Sequence, residues 1–201
     1  MRTALTLAPA AAVIALGVAA CGSSGGSTQV TASTPASQPK SGGDTNPPGD
    51  IPDNQAYVAF KPPGGAITVK VPEGWAQRTS VGAVVFSDKL NAIRIETRSA
   101  ATAPTVASVR RQDVAELART VKGFTPGTVS AVKRNAGTAV RIKYLATAPA
   151  NPVTGKAGLD AVERYLFFHR GKEAILTLSG PKGADNVDPW RLVTNSVHWS
   201  A

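Results

Sequence analysis

Between Ala66 and Val71 the chain alternates, with Ile67, Val69 and Val71 apolar and Thr68 and Lys70 polar. A period of two carried by β-branched residues predicts a strand with one buried face. The same alternation recurs in AVVFS (83–87) and in AIRIETR (92–98), where Ile93 and Ile95 oppose Arg94, Glu96 and Arg98. From 105 to 121 the period lengthens. Val114, Leu117, Ala118 and Val121 follow the i, i+3, i+4, i+7 spacing of one helix face, with Glu116 and Arg119 opposite. Thr105 suits the N-cap and Gly123 the stop, and Arg110, near the stripe, has a stem long enough to snorkel past its edge. Strands return at GTVSAVKR (127–134) and TAVRIKYLA (138–146) around an Asn135-Ala136-Gly137 turn. In the second of these, Val140, Ile142 and Tyr144 point one way and Arg141 and Lys143 the other. Beyond a Pro/Gly-containing loop (147–158), AVERYLFFHR (161–170) and EAILTLSG (173–180) form another hairpin about Gly171. Tyr165, Phe167 and Phe168 fall on both faces of one strand, which predicts that this strand is covered on both sides. Asp188 as N-cap and Pro189 at the first helical position open a short last helix.

Strand groups flanking one long helix, with a short helix near the end, predict an α+β domain. Its antiparallel β-sheet is expected to be covered by the long helix and the short C-terminal helix. Strands and helices do not alternate regularly, which argues against a doubly wound parallel sheet.

The first fifty-odd residues read differently. Met1-Arg2 supplies a positive start, and residues 4–20 are apolar apart from Pro9. That run is shorter than the roughly 20 residues a spanning helix needs, and it ends in small residues, so a cleaved signal over 1–20 is the better reading. Residues 21–54 are rich in Gly, Ser, Thr, Pro and Asp with almost no large apolar side chain. Such a stretch buries too little to offset its chain entropy and reads as a tether. The folded domain is expected over 55–201.

Val18-Ala19-Ala20-Cys21 resembles the lipobox of bacterial lipoprotein signals, a branched aliphatic residue and two small ones before cysteine. The resemblance implies that Cys21 receives a diacylglyceryl group through a thioether. It also implies that a signal peptidase recognises Val18, Ala19 and Ala20 and cuts before Cys21. The product is a lipid-anchored protein on the extracytoplasmic face of the cell membrane. Cys21 is the one cysteine of the chain, so no intrachain disulfide and no Cys-based zinc site can form.

A second resemblance rests on the order of segments: VPEGW (71–75), VVFSD (84–88), the helix, GTAVRIKY (137–144), YLFFHRGKEAILTLSGP (165–181) and PWRLVTNSVHW (189–199). This order is similar to the PsbP-like family, which includes actinobacterial lipoproteins of the LpqN/LpqT type, and it covers roughly residues 56–200. The resemblance implies a PsbP-like αβα sandwich. It brings no catalytic residues and implies an accessory or binding role beside a larger envelope assembly.

Charge and chemistry refine this only a little. The net charge of +9 favours anionic surfaces. Lys70, Arg94, Arg98, Arg141 and Lys143 all stand on the non-core side of their strands and are expected to form one basic sheet face. Those outward positions carry no aromatic side chains for base stacking, so nucleic acid is not the expected partner. His169 and His198 are the two histidines. No G-x-S-x-G, no close-spaced ligand set and no glycine-rich phosphate cradle accompanies them. No cofactor, no metal and no enzymatic activity is expected. The partners expected are the membrane through Cys21 and an envelope protein. The alternative is carriage of a lipid or other hydrophobic molecule in a cavity beneath the 105–121 helix.

Overall fold

The structure is a computed structural model that describes residues 48–150 and 155–200. Seven strands form one antiparallel sheet in the order β3-β4-β5-β9-β8-β7-β6. They are β3 (Ala76–Ser80), β4 (Ala83–Asp88), β5 (Asn91–Ser99), β6 (Thr125–Arg134), β7 (Gly137–Thr147), β8 (Leu159–His169) and β9 (Lys172–Pro181). A second sheet of three strands, β1 (Tyr57–Phe60), β2 (Ile67–Pro72) and β10 (His198–Trp199), is ordered β1-β2-β10.

Two hydrophobic cores lie on opposite faces of the large sheet. One gathers Val140, Ile142 and Tyr144 of β7, Val162 and Leu166 of β8 and Ile175 of β9 against Val109 and Leu117 of the helical segment. The other gathers Ile93 and Ile95 of β5, Tyr165 and Phe167 of β8 and Leu176 and Leu178 of β9. It closes against Ile67, Val69 and Val71 of β2 and Trp190 and Val193 of the last helix. Strand β8 therefore feeds both cores from its alternate residues, as its two-sided apolar pattern requires.

The expected single helix is two: α1 (Val106–Arg111) and α2 (Asp113–Thr120), separated at Gln112. Val109 and Leu117 are both buried, yet eight residues of a straight helix would place them about 80° apart. The break at Gln112 accompanies the burial of both against one sheet. Thr105 caps α1 as expected, its Oγ1 accepting the Ser108 N–H at 3.0 Å in a reciprocal capping box. Gly123 follows α2 at φ 66°, in the left-handed region, where a Cβ would run into Thr147. Arg110 snorkels as read, its guanidinium donating to the Val129 carbonyl of β6 at 3.4 Å.

The last helix, α3 (Val187–Asn195), begins earlier than the Asp188-Pro189 signal implies. Asn186 holds the cap position but makes no side-chain cap, and Asp188 lies within the first turn, paired with Arg191 at 2.9 Å. The Asn186 amide is engaged elsewhere. It accepts the Ile51 N–H at 2.8 Å and donates to the Gly49 carbonyl at 2.9 Å and to Asn91 Oδ1 at 3.0 Å. Asn91 donates to the same Gly49 carbonyl at 2.9 Å. Asp50 Oδ1 accepts the Asp185 N–H at 2.8 Å.

These contacts move the expected domain boundary. Ile51, placed by its neighbours in the tether, is 4% exposed and belongs to the second core. Residues 48–54 thus form a strap on the domain rather than the end of a tether. Composition alone misreads them because the one large apolar residue among prolines and aspartates finds its pocket far along the chain. Residues 1–47, including Val18, Ala19, Ala20 and Cys21, lie outside the described residues, as do 151–154 of the loop before β8. Among the described residues no helix is long and apolar enough to cross a membrane.

Candidate functional site

Residues directly opposite one another in neighbouring strands share a face, so sheet register decides which charges meet. One row runs Arg94↔Thr177↔Arg164↔Ile142, ending in the core beneath α1 and α2. Two others run Ile95↔Leu176↔Tyr165↔Arg141 and Ile93↔Leu178↔Glu163↔Lys143, on the face that meets α3 and the small sheet. Arg94 and Arg98 therefore stand on one face and Arg141 and Lys143 on the other. Lys70 belongs to neither, since it lies on β2 of the small sheet, its backbone N–H donating to Ser196 Oγ at 2.7 Å. The five cations expected on one basic face are divided among three surfaces. Alternation tells which residues of a strand agree with each other. It does not tell which of two cores they face.

The helix-side charges are matched. Glu96 accepts from Arg94 at 3.2 Å and from Arg164 at 3.1 Å, and Arg164 also donates to Thr177 Oγ1 at 2.8 Å. Arg98 pairs with the buried Glu173 at 2.5 Å. Burial pushes the Asp113 carboxyl of α2 up, against the opposing pull of Arg164 and Arg98. Three guanidinium groups thus stand with three carboxylates.

The opposite face carries a group that the sequence reading missed. Glu163, 8% exposed, accepts the Tyr165 hydroxyl at 2.5 Å on Oε2 and the Lys143 ammonium at 2.8 Å on Oε1. Arg141 approaches the same Oε1 at 3.7 Å. Arg134 donates to the Tyr165 hydroxyl at 3.0 Å and to Thr194 Oγ1 of α3 at 2.8 Å, with its guanidinium carbon 5.1 Å from the Tyr165 ring centre. The signal was available in Ala161, Glu163, Tyr165 and Phe167, where a carboxylate occupies a position that alternation assigns to a core face.

Burial alone would push the Glu163 carboxyl up. The Lys143 and Tyr165 hydrogen bonds and the charges of Lys143 and Arg141 outweigh it and hold the group below its ordinary value. Burial, with the hydrogen bond to Glu163, pushes the Tyr165 hydroxyl up. A carboxyl with a depressed folded value contributes stability that is full above the ordinary Glu pKa and is lost as pH falls through the folded value. Wild type should therefore lose its advantage over Glu163→Gln as the pH drops from about 7 to below about 4. Urea denaturation across that range reads the gap, and a gap of constant size would refute the assignment.

Beside Glu163 a cleft of about 360 Å³ opens between the start of α3 and strands β6–β8, lined by Lys143, Leu145, Ala161, Glu163, Val187 and Trp190 among others. A larger hollow of about 590 Å³ is bordered by Arg110 and Val114 of the helical segment and by Phe124, Val129 and Ile142. Both reach Pro126 and Gly127, where the register of β6 shifts between Pro126 and Val129. A third hollow of about 350 Å³ opens on the outside of the small sheet between Thr68, Lys70 and His198 and Leu192 of α3.

His169 stacks on Trp199 with ring centres 5.5 Å apart, and His198 stands opposite Thr68 in the small sheet. Among the described residues no three His, Cys, Asp or Glu side chains gather as a metal site would require.

No protein-family profile and no curated protein matches the chain. Solved structures do. Cyanobacterial PsbP (CyanoP) from Synechocystis sp. PCC 6803 superposes with a TM-score of 0.51 at 14% identity, over 73% of this chain and 94% of its own. LpqN of Mycobacterium tuberculosis, described as involved in cell envelope biogenesis, gives 0.41 at 15% identity over 74% of this chain and 93% of its own. A protein of Bacteroides thetaiotaomicron gives 0.48 at 14% identity over 71% of this chain, which spans about half of that protein's length (48%). At such identities the CyanoP likeness speaks to the fold, an α+β domain of mostly antiparallel strands of the PsbP kind.

Proposed function

We propose that the chain is a non-enzymatic lipoprotein, anchored through Cys21 to the extracytoplasmic face of the cell membrane, whose PsbP-like domain serves as a binding module for an envelope protein complex. The observation that carries the reading is the outer surface of the small sheet and α3. There Leu192, 42% exposed, borders an open hollow together with Lys70 and His198. A mixed apolar and basic surface of this kind suits a protein partner. The lipobox and the accessory character of PsbP-like proteins support the same reading.

Cross-linking in intact envelopes followed by recovery of the full chain is the test. One partner should be enriched with the wild type, and Leu192→Asp combined with Lys70→Glu should reduce its recovery about tenfold or more, as expected for loss of an apolar anchor and reversal of a rim charge. Recovery of nothing above background, or equal recovery with the variant, would count against the module.

The second reading is carriage of a hydrophobic molecule. It is favoured by the hollow bordered by α1 and α2 and by the apolar cleft beside α3. Native mass spectrometry of protein purified from its own host separates the two, since co-purifying lipid supports carriage and an empty protein supports partner binding.

A further inference from the structure

Two charged clusters on opposite faces of the large sheet differ in their balance. Beneath α1 and α2, Arg94, Arg98 and Arg164 stand with Glu96, Glu173 and Asp113. On the face toward α3, Arg134, Arg141 and Lys143 gather around Glu163 and Tyr165, with Glu163 as the carboxylate of that group. Each Glu163 oxygen already accepts a hydrogen bond, one from Tyr165 and one from Lys143.

Arg141 is only partly engaged: its guanidinium stands beside the Tyr165 hydroxyl, opposing the upward push on that group. Its approach to Glu163 at 3.7 Å is too long for a hydrogen bond. Its Nε is buried without a hydrogen-bond partner among the described residues. Ser130, directly opposite Arg141 across the β6–β7 pair, also has a buried Oγ without a partner among the described residues. Arg164 shares one such orphan, its Nε, but its Nη1 donates to both Glu96 and Thr177, and carboxylates stand beside it. Buried donors are ordinarily satisfied. Two facing each other across one strand pair, beside a surplus of positive charge, call for an acceptor that carries negative charge.

We propose that Ser130, Arg141 and Lys143 form a binding site for an oxyanion, a carboxylate or phosphate group. Arg141 Nε–H and the Ser130 hydroxyl donate to it, and Lys143, shared with Glu163, closes the side that borders the α3 cleft. The site lies apart from the Lys70–Leu192 hollow and does not depend on the accessory role. Because Lys143 lines the apolar cleft that also contains Leu145 and Trp190, the oxyanion is either free or the head of a molecule whose chain lies there.

The test is titration of the full-length protein with inorganic phosphate, acetate and laurate at constant ionic strength, followed through the arginine Nε–H resonances and, in every variant, through the backbone amides of β6 and β7. A saturable shift of one Nε–H is expected with at least one of these anions. Its affinity should fall about tenfold in Arg141→Met and severalfold in Ser130→Ala, the milder change, and should be unaltered in Lys70→Met. Laurate binding about tenfold or more tighter than acetate identifies a chain-bearing carboxylate. Phosphate binding at least as tightly as laurate identifies a free or phosphate-headed anion. No saturable shift with any of the three, or equal affinity in wild type and Ser130→Ala, overturns the site.

Discussion

Gly180→Ala is expected to lower the stability of the domain by about 3 kcal/mol, or roughly 10 °C in Tm. Gly180 is buried near the end of β9 in extended backbone, so the substitution brings no conformational strain. The cost comes from two side chains that already occupy the place of its missing Cβ. A Cβ there would run into Asn91 Oδ1 and would come within 2.8 Å of Asn186 Nδ2. Those two amides bond to each other and to the Gly49 carbonyl, and Asn186 also accepts from Ile51. Neither can withdraw without leaving buried polar groups unmet, so a small overpacking becomes the loss of a hydrogen-bonded cluster. Gly158→Ala is the matched control, because a Cβ at that exposed position meets nothing within 4 Å. Equal urea midpoints for the two variants would show that the strap is not held in this way.

Cys21→Ala is expected to move the protein from the membrane pellet to the soluble fraction almost completely. Each buried acyl CH₂ contributes about 0.8 kcal/mol, so two chains anchor stably where a single chain binds reversibly. Two other forces could retain a protein of net charge +9 at a membrane, the apolar run over 4–20 and attraction to anionic headgroups. A high-salt wash screens the second. If the Cys21→Ala variant still pellets after such a wash, the run before Cys21 is the anchor and the lipobox reading fails.

The residues that were legible in the sequence are those whose partners are near in sequence or whose pattern is self-contained. Ile93 and Ile95 in β5, Val140, Ile142 and Tyr144 in β7 and the turn before Gly137 all follow from local alternation. Three strands escaped it. β3 is AQRTS, exposed throughout, and exists because β4 offers it an edge. β1 and β10 are held by pairing with β2. The cap of α3 was misplaced because Asn186 is bound to Gly49 and Ile51, an engagement that no local window contains. The candidate site was the least legible part. Arg94 and Arg141 look alike as outward arginines between apolar neighbours, yet each faces a different core, and only the register across β5, β9, β8 and β7 separates them. Glu163 carried a readable signal, a carboxylate in a core-facing position, but its satisfaction by Lys143 and Tyr165 is a tertiary fact.

The strand order has a consequence for how the chain reaches this structure. Within the large sheet, β3, β4 and β5 pair as sequence neighbours, and so do β6, β7, β8 and β9. Each set can zip from its turns at small entropic cost. A single seam joins the sets, the β5–β9 pairing that sets Ile95 beside Leu176. Closing that seam brings together residues far apart along the chain and encloses α1 and α2 in the loop, so it carries the largest loop-closure cost in the sheet. The strap closes at the same place, since Asn91 opens β5 and Gly180 lies at the end of β9. The clasp over Gly49 therefore ties the one long-range seam of the sheet at its end.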